Sequence, residues 1–211
     1  MDPLIHFQVP DRGALFVVTG SSGTGKTTLV KEAFRVLPEL KFSVSATTRA
    51  RREGETDGVE YHFLDMERFE ELRDGGKFLE WAEVYGNCYG TLRAPIEEAL
   101  ERGESILLEI DVQGSRQVRE KFPEAVHIFV LPPDLPTIER RLRGRSTDSE
   151  EIINRRVNDA MVQISACGEF DYLVVNDDLE TAHRVFQSVL IGELCRRERR
   201  DGLVARMTTR P

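Results

Sequence analysis

Apolar residues in this chain recur in short runs that alternate with longer stretches of helical period. Residues 14–18 form an unbroken apolar run, β-branched at its end, which predicts a buried strand. Residues 28–34 place Leu29, Val30, Ala33 and Phe34 on one face of a helix. Pro38 breaks the pattern, and residues 42–45 read as a second short strand. Residues 46–58 are polar, dense in Arg, Glu and Gly, and without apolar period, which suits a functional loop. The stretch 60–63 reads as extended and 66–73 as a short helix ending at Gly75 and Gly76. Residues 78–84 and 88–89 alternate as strands about a turn at Gly86 and Asn87.

The α/β rhythm then resumes, with helices at 94–102, 112–121 and 136–143 and strands at 105–111 and 126–131. Gly103 and Gly144 close two of those helices. Thr147 to Glu150 fits a capping box that opens a helix running towards Phe170. Residues 172–175 are a last strand and 179–200 a long terminal helix. Strands alternating with helices imply a parallel core sheet covered on both faces, a three-layer α/β/α domain. Residues 45–93 interrupt it as a small mixed α+β insertion, and residues 1–13 look like a loosely held lead-in.

Composition narrows the possibilities. The 211 residues suit one domain, with 40% hydrophobic and 31% charged residues, ordinary for a soluble protein. A net charge of −8 argues against a general nucleic-acid binder, whose phosphate contacts need a basic face. Cys88, Cys167 and Cys195 are too few and too widely spaced for a disulfide framework or a zinc site. No run approaches the ~18 apolar residues of a membrane span, and no signal peptide is evident, so a cytoplasmic protein without a membrane partner is expected.

The chemistry begins between the first strand and the first helix. Gly20-Ser21-Ser22-Gly23-Thr24-Gly25-Lys26-Thr27 fits G-x-x-x-x-G-K-[ST], in the strand–turn–helix context that this phosphate-binding loop requires. Its glycines allow several N–H groups to converge on one anion, and the helix dipole adds positive potential. Lys26 would reach the β/γ-phosphates of ATP and the Thr27 hydroxyl would hold Mg²⁺, with Thr28 just inside the helix. The bland alternative is a glycine-rich turn that happens to precede a helix. A kinase also needs a second anion pocket for its acceptor. Arg49, Arg51 and Arg52 lie in the polar loop beside Glu53 and Glu55, and arginine forks suit phosphate. A solvated charged loop is the rival reading.

The run Ser43-Val44-Ser45-Ala46-Thr47-Thr48-Arg49 followed by Arg52-x-Gly54-Glu55 resembles the guanylate kinase family. So do Phe78-Leu79-Glu80-Trp81-Ala82, Gly86-Asn87-Cys88-Tyr89-Gly90-Thr91 and Ile110-Asp111-Val112-Gln113-Gly114. Arg140-Arg141-Leu142-Arg143-Gly144-Arg145 and Val175-Asn176-Asp177-Asp178 match as well, so that the likeness spans roughly residues 14–195. The resemblance implies an ATP:GMP phosphotransferase, Mg²⁺-dependent, with GMP or dGMP as acceptor. It implies a core (14–44, 94–143, 159–211), a GMP-binding region (45–93) and a helical lid (144–158).

By the same resemblance Arg49, Arg52, Tyr61 and Tyr89 would hold the GMP phosphate, with Glu55 and Gly90 beside them. Ser45, Glu80, Thr91 and Asp111 would read the base. Guanine presents N1–H and an amine side by side, and one carboxylate can accept both; adenine offers a lone pair at N1 instead. Arg145 and Arg156 would reach across the transferring phosphoryl group, Arg141 would pack near adenine, and Asn176 would take an adenine-side position. The rival for the lid arginines is a salt-bridged helix pair with Glu139, Glu150 and Glu151.

Three positions depart from the family pattern. Arg51 stands where proline is usual, and Cys88 where an aromatic is usual, which puts a thiol near the acceptor pocket. Glu109 stands for aspartate; 109 and 111 are expected on one strand face beside the loop, where Glu109 would hold Mg²⁺ through water. The other classes to exclude are a non-catalytic guanylate-kinase-like binding module, which tends to lose the loop glycines and lysine, and a kinase for a ribose bisphosphate, which needs no base reader. The basic run Arg196, Arg197, Arg199 and Arg200 is explained by helix dipole and solvent.

Overall fold

A computed structural model describes residues 10–84, 86–144 and 150–208. Strand β1 (Leu15–Thr19) is buried along its whole length, and alternate side chains serve two cores. Phe16 and Val18 pack with Leu29, Val30 and Ala33 of α1 (Lys26–Val36) and with Phe186 and Leu190 of α7 (Leu179–Leu194). Leu15 and Val17 pack on the opposite face with Ile96 and Leu100 of α3 (Arg93–Glu101) and Val118 of α4 (Val112–Lys121). An apolar run without alternation is what a strand covered on both faces requires. Beside β1 lie β7 (Ser105–Glu109) and β8 (Val126–Leu131), with β2 (Leu40–Phe42) and β9 (Tyr172–Val175) at the edges. The order is β2-β7-β1-β8-β9, and every pair is parallel. The phosphate loop, Glu109 and Asn176 therefore all lie at the carboxyl ends of strands, where open α/β sheets bind ligands.

The insertion forms a second sheet of mixed direction, ordered β4-β3-β6-β5. Its strands are β3 (Ser45–Thr47), β4 (Tyr61–Phe63), β5 (Phe78–Val84) and β6 (Asn87–Leu92). Helix α2 (Met66–Asp74), capped by Asp65 accepting from Arg68 N, supplies Phe69, which stacks on Phe78 with ring centroids 4.6 Å apart. A bulge falls between Phe78 and Glu80, so that Phe78 opposes Leu92 and Glu80 opposes Thr91. The extra residue, Leu79, turns away from the insertion into the core cluster of Leu15 and Val17, whereas Phe78 stays with Phe69. β5 thus belongs to two hydrophobic cores.

A helical pair completes the molecule. α5 (Leu135–Arg143) starts at Asp134, whose carboxylate accepts from Thr137 N, and a proline sits in its first turn. It packs Ile138 and Leu142 against Ile153 and Ala160 of α6 (Glu150–Ser165). Arg143 pairs with Glu139 within α5 (2.6 Å) and bridges to Glu150 of α6 (2.8 Å), the salt-bridged arrangement weighed above.

Several expected boundaries move. The strand expected at 42–45 is two strands in two sheets, because β2 ends at Phe42 and β3 begins at Ser45. The polar loop accordingly begins after Thr47, not at Ala46, which is buried in the insertion core. The expected helix 179–200 stops at Leu194, followed by a short 3-10 turn Arg197–Arg199 and by α8 (Asp201–Thr208). The lead-in is held, not loose, over residues 10–13: Asp11 N donates to Arg199 O, and the Asp11 carboxylate accepts from Leu203 N and Arg206. Arg199 is half-buried and donates to Gly13 O at 2.8 Å, so that arginine is a brace as well as a terminal charge. The capping box at 147–150 has its first three residues outside the described residues.

Candidate active site

The phosphate loop is built from backbone. Gly23 and Gly25 have φ of 89° and 84°, the left-handed region where a side chain is strained. Gly25 caps α1 with no side-chain acceptor, and no acidic residue occupies the first turn, so no side chain competes with an anion for the amino end of the helix. Inside the loop, Thr24 Oγ1 donates to Ser21 O at 2.9 Å. Two side chains from elsewhere brace it. Asn176, buried just beyond β9, donates its amide to Thr24 O at 2.7 Å, and any side chain at Gly25 would collide with that amide. Arg141 of α5 donates to Asn176 O at 3.0 Å and lies near the carbonyls of Thr24 and Gly23. The residues read as adenine-side contacts are thus also fasteners of the loop.

A cation at the first residue of a helix opposes the helix dipole, so Lys26 breaks a local rule that a purely structural helix would keep. Burial holds its ammonium below the usual lysine range, while Glu109 and Asp111 pull the other way. Lys26 Nζ is 3.7 Å from Glu109, and Thr27 Oγ1 donates to the same carboxylate oxygen at 2.7 Å. The loop, Thr28 and Glu109 line a cleft of about 320 Å³. With its proton directed to Glu109, the Thr27 oxygen keeps lone pairs for a hard cation. Among the described residues no cluster of three or more His, Cys, Asp or Glu could hold a metal by itself. That donor set suits Mg²⁺, which keeps waters and phosphate oxygens as most of its ligands.

The acceptor side is built from side chains. Arg49 forms a bidentate fork with Glu55 (2.7 and 3.1 Å) and donates to Ala50 O. Its guanidinium lies 5.4 Å from the Tyr61 ring centroid and 5.7 Å from that of Phe63. Tyr61 meets Tyr89 edge-on at 6.0 Å. The Arg49 fork and the Arg52 N–H (2.7 Å) keep the Glu55 carboxyl below its usual range. Three of the four expected phosphate-cage residues, Arg49, Tyr61 and Tyr89, therefore converge with Glu55, and the fourth, Arg52, joins through its backbone. Arg51 is exposed on the same loop.

Glu80 is 7% exposed and accepts from Thr91 Oγ1 at 2.7 Å. Burial pushes its carboxyl up; the Thr91 bond opposes this and the Asp111 charge adds to it. Asp111 is not on a strand face with Glu109, because β7 ends at Glu109; Asp111 is the N-cap of α4 and accepts from Gly114 N at 2.8 Å. From that corner its charge acts on both Lys26 and Glu80. Gly90 pairs with Trp81 and Ala46, and its missing side chain makes room for Phe78. Ser45 pairs with Tyr61 at the start of β3. Cys88 does not present a thiol to the pocket: it is buried with Phe69 and Phe78, and burial raises its pKa. Arg156 is a half-buried residue of α6, and Arg145 lies outside the described residues.

A phosphate loop at the carboxyl ends of a parallel sheet, with an arginine–tyrosine cluster and a buried carboxylate on the inserted sheet, defines a P-loop phosphotransferase. The comparisons with known proteins then fix the family. The family model described as guanylate kinase matches residues 12–193. A guanylate kinase of Carboxydothermus hydrogenoformans is 50% identical over 182 residues, covering 86% of this chain and 89% of the relative. One of Chromobacterium violaceum is 50% identical over 184 residues, covering 87% and 88%. A crystal structure of guanylate kinase from Anaplasma phagocytophilum superposes with a TM-score of 0.72 at 32% identity, covering 96% of this chain and 97% of that one. The chain belongs to the guanylate kinase family.

Sequence reasoning missed the bracing of the loop by Asn176 and Arg141. The signal available was position: Asn176 follows directly on the apolar run 172–175, at the strand end where ligands bind. Among the described residues no helix is long and apolar enough to cross a membrane.

Proposed function

We propose that this protein transfers the γ-phosphoryl group of ATP to GMP or dGMP, giving ADP and GDP or dGDP. The observation that carries this reading is the buried Glu80 carboxylate, set between Thr91 and the start of α4 and next to an arginine–tyrosine cage. A buried acceptor pair suits the two adjacent donors of guanine and meets adenine with a lone pair, so an adenine acceptor leaves a buried polar group unpaired. Thr91 and Asp111 fix the carboxylate's surroundings, and Ser45 starts β3, on the far side of β6 in the same sheet.

The attacking GMP phosphate oxygen is already anionic at neutral pH, so no general base is required. Arg49, Arg52, Tyr61 and Tyr89 orient that phosphate, with Glu55 holding the Arg49 fork in plane. The loop N–H groups and Lys26 hold the β/γ-phosphates of ATP, and Lys26 neutralises charge as it spreads over the transferring group. Arg145 and Arg156 serve the same charge from the lid, with residues 144–158 closing over the site to exclude water. Thr27, and Glu109 through water, would hold Mg²⁺, which when bound neutralises phosphate charge and orients the transferring group.

A coupled ADP-release assay with ATP and Mg²⁺ tests this reading, offering GMP, dGMP, AMP, CMP and UMP in turn. Turnover with GMP and dGMP alone is expected. Absence of turnover with GMP, or equal turnover with AMP, overturns it.

A further inference from the structure

We infer that Gln117 is the positioning residue for the guanine-reading carboxylate and so a determinant of acceptor specificity; this rests on Glu80 being the base reader. β5 is an edge strand of the small sheet, and its outer backbone groups face α4 of the core instead of a neighbouring strand. Gln117 takes the place of that strand. Its Oε1 accepts from Trp81 N at 3.1 Å and its Nε2 donates to Trp81 O at 2.9 Å, a two-point bond to one residue. One turn further along α4, Lys121 donates to Phe78 O at 2.9 Å. One turn earlier, Gly114 lets the helix come so close that a Cβ there would stand 3.0 Å from Glu80 Oε2.

These three lie on one face of α4, at the spacing that lines up successive helical turns. Gln117 and Lys121 grip the backbone on both sides of Glu80, while Leu79 is buried in the core. The Glu80 carboxylate is held through Thr91 of the neighbouring strand, so its aim depends on how the backbone of β5 is held against β6 and α4. A carboxylate that must face two donors at once tolerates little displacement, since a shift of ~1 Å is worth about 10²-fold in rate. The proposed phosphate cage draws Arg49 from the loop and Tyr61 from β4, away from this grip; Tyr89 alone comes from β6, the strand that pairs with β5.

Inosine monophosphate tests the inference, because it keeps N1–H and lacks the exocyclic amine that GMP offers. For Gln117→Met, the ratio of kcat/KM for GMP over inosine monophosphate is expected to fall about tenfold, through KM for the acceptor, with KM for ATP unchanged. A merely structural role would lower both acceptors together and leave the ratio where it was. Gln117→Glu, which keeps the acceptor facing Trp81 N–H, gives the same measurement should the methionine variant not fold. Emission from Trp81, the single tryptophan of the chain, reports folding and acceptor binding in both. An unchanged ratio in the folded variants, with a collapsed ratio in Glu80→Gln, overturns the role of Gln117 alone. An unchanged ratio in Glu80→Gln itself overturns the base-reader assignment and this inference with it.

Discussion

The two phosphate-facing sites proposed for this molecule are made of different material. The donor site is a stretch of backbone held at two left-handed glycines and fastened by Asn176 and Arg141, with Lys26 projecting from the start of the helix beside Glu109. The acceptor site is a set of side chains, Arg49, Glu55, Tyr61 and Tyr89, brought together from a polar loop and two short strands. A backbone site is rigid and indifferent to what the phosphate carries. A side-chain site can be shaped around one ligand, at the cost of holding each long side chain in place. The difference suits a donor bound by its phosphates and an acceptor chosen by its base.

Four measurements press on that comparison. Lys26→Met should lower kcat by about 10³-fold or more, with the circular dichroism spectrum unchanged. A kcat near wild type would mean that backbone alone carries the donor side. Arg49→Lys should raise KM for GMP by about 10²-fold and leave KM for ATP alone, because an ammonium supplies neither the fork nor the stacking surface over Tyr61. Equal effects on both substrates would show that the two sites are not separable. Asn176→Ala strips a buried carbonyl of its partner and should raise KM for ATP about tenfold, with GMP little affected; an effect on GMP instead would move Asn176 out of the donor site.

The smallest effect concerns pH. Glu80 has its folded pKa raised above the ordinary 4.5, so the folded state binds the proton more tightly than the unfolded chain does. Its contribution to stability is complete below pH 4.5 and is lost as pH rises through the folded value. Thermal melts across that window should therefore show wild type losing a few degrees relative to Glu80→Gln as pH rises. Parallel melting curves would mean that the carboxylate is not desolvated in the empty pocket. A separate acid window belongs to His127, fully buried on β8 against Ser115, whose pKa is lowered to about 4. Its neutral form stabilises the fold above 6.5, and that contribution is lost as pH falls towards 4.

The contrast in material also governs what could be read from residues alone. The donor site is legible because a backbone loop needs particular residue types at fixed spacing, and β1 and α1 follow from the apolar pattern around it. The strands β8 and β9 and the helix α4 begin and end where the pattern places them, since burial on both faces leaves little freedom. The break between β2 and β3 was hidden because Ser43 and Val44 could extend either strand, and only the presence of two sheets separates them. The end of α7 was hidden because its continuation is rich in arginine, which favours a helix as much as a turn. Asp111 looked like a strand residue for want of any sequence mark that distinguishes a strand end from a cap one residue later. Gln117 carried no signal at all: a glutamine on a polar helix is ordinary until another segment's backbone is seen against it.

The bulge at Leu79 has a consequence for how the molecule comes apart. Because that residue is plugged into the main core while Phe78 remains with the insertion, the insertion cannot melt as one independent unit. Amides of β3 and β4 can exchange with solvent through local opening of the small sheet. The Trp81 amide is fastened to Gln117 of α4, so native-state hydrogen exchange is expected to find it better protected than the amides of β3 and β4. The boundary between the two cooperative units would then run through a single strand instead of along a linker.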